Sequence, residues 1–437
     1  MLVMNRSHFL FLLVFAGCVF SLQAREPRRL PDDPHFAPYE LLPAPTVGSL
    51  MLEKGDLLAI CGDSITEQKR YSLIIESYLT ACLPDLEVRC RQFGWSGEQA
   101  GGLLGRMEND VLRFDPDVAT TCYGMNDFRY VPFDGNIAAE YRKNLAAMVG
   151  KFRAAGCEVL MGSPGIIDSV PHWVKTATGT QLELNLALGQ FRNIGIELAA
   201  AEGLRFADIY RPMLIADFEA RREHGEDFKV AGKDGVHPGW AGQLVIAYVF
   251  LCGLGIDGDL GTIVLDGEVA EARGGHEVKA FADGRLTLLS RRLPFSPVRG
   301  DLASDDSIRA GMELVPFDAD LNRLTLRMKR PPAESYSVSW GGESREYSAA
   351  QLEAGVNLAA DFTDHALAAA FRKVWDAAAR KQAYETRQMK ELMHGPEGGT
   401  DMEATVELSE KVHQKLVGAL RAAVSPVEHV IEIRPAE

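Results

Sequence analysis

Short apolar runs alternate with longer stretches of helical periodicity through the first half of the chain. Residues 57–61, 86–93, 118–123, 158–162 and 205–207 read as strands. Residues 71–83, 101–113, 137–155 and 182–202 read as the helices between them. Strands without a polar face, joined by segments long enough for a crossover helix, predict an α/β fold with a parallel sheet covered on both sides. A further apolar helical stretch at 240–254 closes this unit.

Beyond it the pattern changes. Residues 262–269, 278–282, 285–289, 321–328 and 336–340 are short, alternating or β-branched runs, and Asp266-Gly267 and Asp283-Gly284 are hairpin signals between them. Residues 363–424 then read as two Ala-rich helices, 366–393 and 402–423, parted by His394-Gly395-Pro396-Glu397-Gly398-Gly399. Their many charges read as solvated faces. Residues 427–433 alternate like one last strand that returns to the β-rich region. The expected divisions are an export signal at 1–24, a Pro-rich lead at 25–49, an α/β unit at 50–258, a β-rich unit at 259–360, and a helical hairpin with terminal strand at 361–437.

The N-terminus changes the picture of where such a chain works. Arg6 precedes an apolar run from Phe9 to Leu22, and Leu22-Gln23-Ala24 offers small-residue cleavage. The run is short for a membrane span, so release to the periplasm or the medium is expected, with no transmembrane segment in the mature chain. Lipidation at Cys18 is the alternative. Export permits disulfides, yet Cys61, Cys122 and Cys157 lie in or at apolar strands, where buried free thiols are the default. Cys82 and Cys90 are the one local pair that a bridge could join. The formal net charge of −15 speaks against a nucleic-acid partner.

The candidate chemistry sits at the ends of the predicted strands, where open α/β sheets place ligands. Ser64 follows the first strand in Gly62-Asp63-Ser64-Ile65-Thr66. A hydroxyl needs a base to become a nucleophile, and His237 in Asp234-Gly235-Val236-His237-Pro238 can serve, with Asp234 reaching round a short turn to orient it. Gly94, closing the second strand, and Asn126, beyond the third in Gly124-Met125-Asn126-Asp127, can donate to a developing oxyanion together with the Ser64 N–H. Each motif alone has a plainer use: Ser64 as a helix N-cap, Asn126 and Asp127 as turn residues, Asp234 and His237 as a loop hydrogen bond.

Taken together, these blocks resemble the SGNH hydrolases of the GDSL esterase and lipase superfamily, whose four signature residues fall in order on Ser64, Gly94, Asn126 and His237. The resemblance covers roughly residues 50–255. It implies a three-layer α/β/α, flavodoxin-like sheet, with Ser64 as nucleophile, His237 as general base and acid, Asp234 as its partner, and Ser64, Gly94 and Asn126 as oxyanion hole. No cofactor or metal is implied. The sequence carries no Gly-x-Ser-x-Gly elbow, His-Glu-x-x-His, phosphate-binding loop or Cys-x-x-Cys.

Asp63, Trp95, Tyr123, Asp127 and Trp173 are the residues expected to line the substrate site. The aromatic ones could stack on a sugar ring or merely fill the core. The expected function is a secreted serine esterase removing short acyl groups, acetyl above all, from carbohydrate. A lysophospholipase or general carboxylesterase is the alternative of the same chemistry, and a non-catalytic glycan-binding envelope protein the alternative of another class.

Overall fold

The computed structural model describes residues 28–297 and 300–436. The export signal and Cys18 lie outside the described residues. Five parallel strands, β1 (Leu57–Gly62), β2 (Arg89–Gln92), β3 (Val118–Cys122), β4 (Glu158–Gly162) and β5 (Arg205–Ala207), form a sheet of order β2-β1-β3-β4-β5. β1 and β3 are buried along their whole length, as strands covered on both faces must be. The covering helices are α1 (Ser64–Glu67), α2 (Tyr71–Ala81), α3 (Ala100–Asp110), α4 (Gly135–Ala154), α5 (Gln181–Glu202), α6 (Tyr210–His224) and α7 (Trp240–Gly253). This is the expected three-layer α/β arrangement.

Helix α6 is not signalled by the apolar pattern, because charged residues crowd its last turn. Pro212 does not break it, since a proline in the first turn removes only an N–H that has no intrahelical acceptor. The Pro-rich lead packs along α5, where Leu42 N–H donates to Asn193 Oδ1 and Arg192 donates to the Leu42 carbonyl.

Two further sheets follow. One joins β6 (Asp259–Asp266), β7 (Val269–Arg273), β10 (Arg323–Lys329) and β13 (Val356–Asn357). The other joins β8 (His276–Ala282), β9 (Arg285–Ser290), β11 (Ser335–Trp340), β12 (Glu343–Ser348) and β14 (Val427–Pro435). Both hairpins form. Asp283-Gly284 is the turn between Ala282 and Arg285, both of its residues at positive φ as a type I′ turn requires, whereas Asp266 itself pairs with Val269 and the first turn is Gly267-Glu268, with only Gly267 at positive φ. The terminal strand β14 inserts between β9 and β11.

The C-terminal helices Ala366–Arg387 and Met402–Ala423 correct one expectation. The face of the first that carries Lys381, Gln382 and Glu385 is buried rather than solvated, and Gln388 just beyond its end continues it. β2 is an edge strand, and an edge leaves backbone groups unpaired. Lys381 Nζ donates to the Cys90 carbonyl at 2.9 Å, and the Gln92 N–H donates to Glu385 Oε2 at 3.2 Å, so helix side chains complete the ladder. Lys381 also bridges Glu76 and Glu385 at 2.8 and 2.6 Å, and His413 of the second helix meets Glu385 at 2.8 Å. Cys82 and Cys90 are buried free thiols, as are Cys61, Cys122, Cys157 and Cys252.

Candidate active site

The turn from β1 into α1 is set by close packing. A Cβ at Gly62 would stand 2.1 Å from Thr66 Oγ1, so only glycine lets the chain turn there. Asp63 is the N-cap, its Oδ1 accepting the Ile65 N–H at 2.9 Å. Ser64 is therefore not used as a cap, and its hydroxyl is free for another partner. That partner is His237, whose Nε2 lies 2.8 Å from Ser64 Oγ.

His237 is carried by the loop before α7. Asp234 Oδ1 accepts the N–H groups of Val236 and His237 at 3.0 and 2.8 Å, an Asx turn that folds the loop back on itself. Its other oxygen, Oδ2, lies 2.7 Å from His237 Nδ1. Partial burial pushes the Asp234 carboxyl up, but the His237 and Val236 N–H groups and the imidazole outweigh it and hold its pKa below the ordinary value. A carboxylate can only accept. Nδ1 thus carries the proton, and the Nε2 lone pair faces the serine hydroxyl. Gly232 supports the loop at φ +95°, where a Cβ would stand 1.9 Å from the His237 carbonyl oxygen. Ala231 N–H donates to Asp168 Oδ2 at 2.6 Å, which ties this loop to the segment after β4.

The donors differ from the sequence expectation at one position. The Gly94 N–H turns inward to Gln92 Oε1, and a Cβ on Gly94 would stand 2.3 Å from the Glu67 backbone nitrogen. Gly94 is packed behind α1 and does not offer its N–H to a ligand. Three residues on, Gly97 adopts φ +74° on an exposed turn, and its N–H finds no partner among the described residues. Its neighbours fix it: Ser96 bonds to Glu67 of α1, and the Glu98 carbonyl accepts from Asn126 Nδ2 at 3.1 Å. A lone glycine after Trp95-Ser96 was the signal that could have found it. The Ser64 N–H, first of α1, likewise has no partner among the described residues. Asn126 Nδ2 also lies 3.3 Å from Asp63 Oδ2, and Tyr130 donates to its Oδ1 at 3.4 Å, so the carboxamide is held in one orientation.

Of the five residues expected to line the substrate site, Trp173 alone is an open platform. It is 41% exposed, and its ring stacks on His237 at 5.8 Å and 27°. Tyr123 is buried and donates its hydroxyl to Glu98 Oε2 at 2.8 Å. Asp127 is buried with its oxygens on the Ala100 and Gly124 N–H groups, which fixes the loop after β3. Asp63 is the buried cap, its carboxyl pushed up to about 7 chiefly by burial. Trp95 is half-buried, with Arg106 and Lys390 at 5.2 and 4.9 Å from its ring centre and His394 against its edge. Burial or prior contact takes these four away from a substrate.

The profile of the GDSL-like Lipase/Acylhydrolase family matches residues 60–245, the span that holds Ser64, Asn126, Asp234 and His237. Residues 60–245 are thus a GDSL-like lipase/acylhydrolase region of the SGNH type. The chain is a carboxylic ester hydrolase. The SGNH region is similar to an acetylxylan esterase from Geobacillus stearothermophilus, 24% identical over 226 residues that cover 48% of this chain and 98% of that protein. A solved structure described as a gut microbial diltiazem-metabolizing enzyme superposes with a TM-score of 0.70 at 20% identity, over 89% of this chain and 100% of the other. The shared fold thus extends past the SGNH region into the β sheets and the C-terminal helices. Among the described residues no group of three or more His, Cys, Asp or Glu side chains could hold a metal, and no helix is long and apolar enough to cross a membrane.

Proposed function

We propose that this esterase acts through Ser64, His237 and Asp234 and removes short acyl groups, acetyl above all, from carbohydrate. The observation that carries the mechanism is the unbroken chain from Ser64 Oγ to His237 Nε2 at 2.8 Å and from His237 Nδ1 to Asp234 Oδ2 at 2.7 Å. Ser64 Oγ attacks the ester carbonyl while its proton passes to Nε2, and ionised Asp234 stabilises the imidazolium. The oxyanion is held by the N–H groups of Ser64 and Gly97, and by Asn126 Nδ2 as it exchanges its long 3.3 Å contact with Asp63 Oδ2 for the oxyanion. Collapse expels the alcohol, which takes the proton back from His237. Water then gives a proton to the same nitrogen and attacks the acyl-serine, and as the acid leaves His237 returns that proton to Ser64 Oγ.

Trp173 supports a sugar as the alcohol part, because an exposed indole beside the base can stack on a pyranose ring. The name of the acetylxylan esterase relative points the same way. The apolar run from Phe9 to Leu22 supports action outside the cytoplasm.

The test is acetate release from a panel of acetylated glycans, beside p-nitrophenyl acetate and octanoate. Release from one glycan class is expected. In Trp173→Ala the KM for that glycan should rise about tenfold, or ~1.4 kcal/mol, with the KM for p-nitrophenyl acetate changed little. Turnover confined to the synthetic esters, strongest on octanoate, would move the reading to a lipid-type esterase.

A further inference from the structure

Glu67 lies one turn beyond Ser64 in α1 and joins three parts of the molecule. Its Oε2 accepts both the N–H and the hydroxyl of Ser96, at 2.5 and 2.6 Å. Its Oε1 accepts Lys390 Nζ at 2.7 Å. Lys390 comes from the six-residue π-helical segment Gln388–Met393, which continues the helix Ala366–Arg387. Such widened turns recur at functional sites. The same ammonium sits 4.9 Å from the Trp95 ring centre. A residue 323 positions away in sequence thereby grips both α1 and the turn that follows β2.

The two ends of that turn are fixed without Glu67: Trp95 N–H donates to the Gly62 carbonyl at 3.0 Å, Glu98 N–H closes the turn on the Trp95 carbonyl at 3.1 Å, and the Glu98 carboxylate pairs with Arg106 at 2.6 Å. Its exposed tip is different, since Gly97 has no side chain to pack and Ser96 bonds to Glu67 alone among the described residues. Both oxygens of Glu67 are committed, one to each neighbour. Burial alone would raise its pKa, yet Lys390 and Ser96 hold it below the ordinary value, so the carboxylate stays charged in this contact.

We propose that Lys390 is a positioning residue of the hydrolytic site: through Glu67 it sets the Ser96-Gly97 turn, and so places the Gly97 N–H where the oxyanion forms. This rests on the reading of Ser64 as nucleophile given above. The C-terminal hairpin then serves turnover as well as packing. An interaction that aligns a donor toward charge present only in the transition state acts on kcat more than on KM.

The experiment uses the full-length enzyme with p-nitrophenyl acetate, each preparation titrated with diethyl p-nitrophenyl phosphate so that rates are expressed per reactive serine. Lys390→Met is expected to lower kcat about tenfold with KM within about twofold, and to titrate to the wild-type stoichiometry at a slower rate. Lys390→Arg keeps the charge and should recover most of the loss. Glu67→Gln, which keeps an acceptor for Ser96 but removes the ion pair, should show a similar drop, and the double variant should be no worse than either single one, because both break one link. Should Lys390→Met fold poorly, Glu67→Gln carries the test alone. Lys411→Met, on the outer face of Met402–Ala423, should match wild type. Unchanged kcat per titrated serine in Lys390→Met and Glu67→Gln would overturn the proposal. So would a loss confined to the amount of titratable enzyme, which is what mere packing predicts. Failure of the underlying reading looks different, since Ser64→Ala would then turn over as fast as wild type.

Discussion

Alanine in place of Ser64 is expected to lower kcat for p-nitrophenyl acetate by about ten-thousandfold or more, with a melting temperature close to that of wild type. The two halves of this expectation have separate causes. Among the described residues Ser64 is the one hydroxyl that meets the His237 Nε2 lone pair, and His237 is in turn fixed by Asp234 through its ring and its backbone. Without the hydroxyl no acyl-enzyme forms, and the donors can assist only direct attack by water. The fold loses little. The cap of α1 is supplied by Asp63, and the lost contact is one half-exposed hydrogen bond worth about 1 kcal/mol. A large loss of stability would instead mark Ser64 as a structural residue.

Lys381→Met should be the most damaging single change to stability, costing about 3 to 5 kcal/mol. Lys381 is 2% exposed between Glu76 and Glu385 and also satisfies the Cys90 carbonyl on the edge of β2. Its removal takes away the cation shared by two buried carboxylates, leaving Glu385 to His413 and Glu76 with none, and an unpaired backbone acceptor. Thermal or urea unfolding of the variant beside wild type measures the cost, and a change below about 1 kcal/mol would show that the cluster is not holding the hairpin to the sheet.

The same cluster sets a pH window in wild type. Burial would raise the Glu385 pKa, but Lys381 and His413 outweigh it and hold it low, so its contribution is present above the ordinary carboxylate value of 4.5 and is lost as pH falls through the folded value. His413 is opposite in sign. Burial lowers its pKa, Glu385 and Glu410 raise it further than burial lowers it, and its contribution is complete below 6.5 and is lost as pH rises through the folded value. Glu76 runs against Glu385: burial raises its pKa further than Lys381 lowers it, so it offsets part of the Glu385 contribution above 4.5, and the loss as His413 deprotonates is the clearer limit.

Much of the site was legible in the sequence because its chemistry is local. Asp234 and His237 are three residues apart, and an Asx turn needs no more than that spacing to bring them together. Ser64 stands directly after a strand whose apolar run admits one reading. The donors were harder, since where an N–H points depends on what else can bond to it. Gly94 looked suitable at the end of β2, but the Gln92 side chain two residues earlier claims its N–H, and the free one belongs to Gly97. Tyr123 and Asp127 were misplaced for a related reason: adjacency to a site in sequence says nothing of burial. The C-terminal helices show the widest gap. Lys381, Glu385 and His413 have the spacing of a solvated face, and only the exposed edge of β2, about 300 residues earlier, makes that face an interior one.

The central claim is that Ser64 is the nucleophile, activated by His237. Peptide mapping by mass spectrometry after reaction with diethyl p-nitrophenyl phosphate tests it most directly. A single adduct on Ser64, formed far more slowly in His237→Ala, is the expected result. An adduct on another residue such as Ser96, or none at all while ester hydrolysis continues, would contradict it.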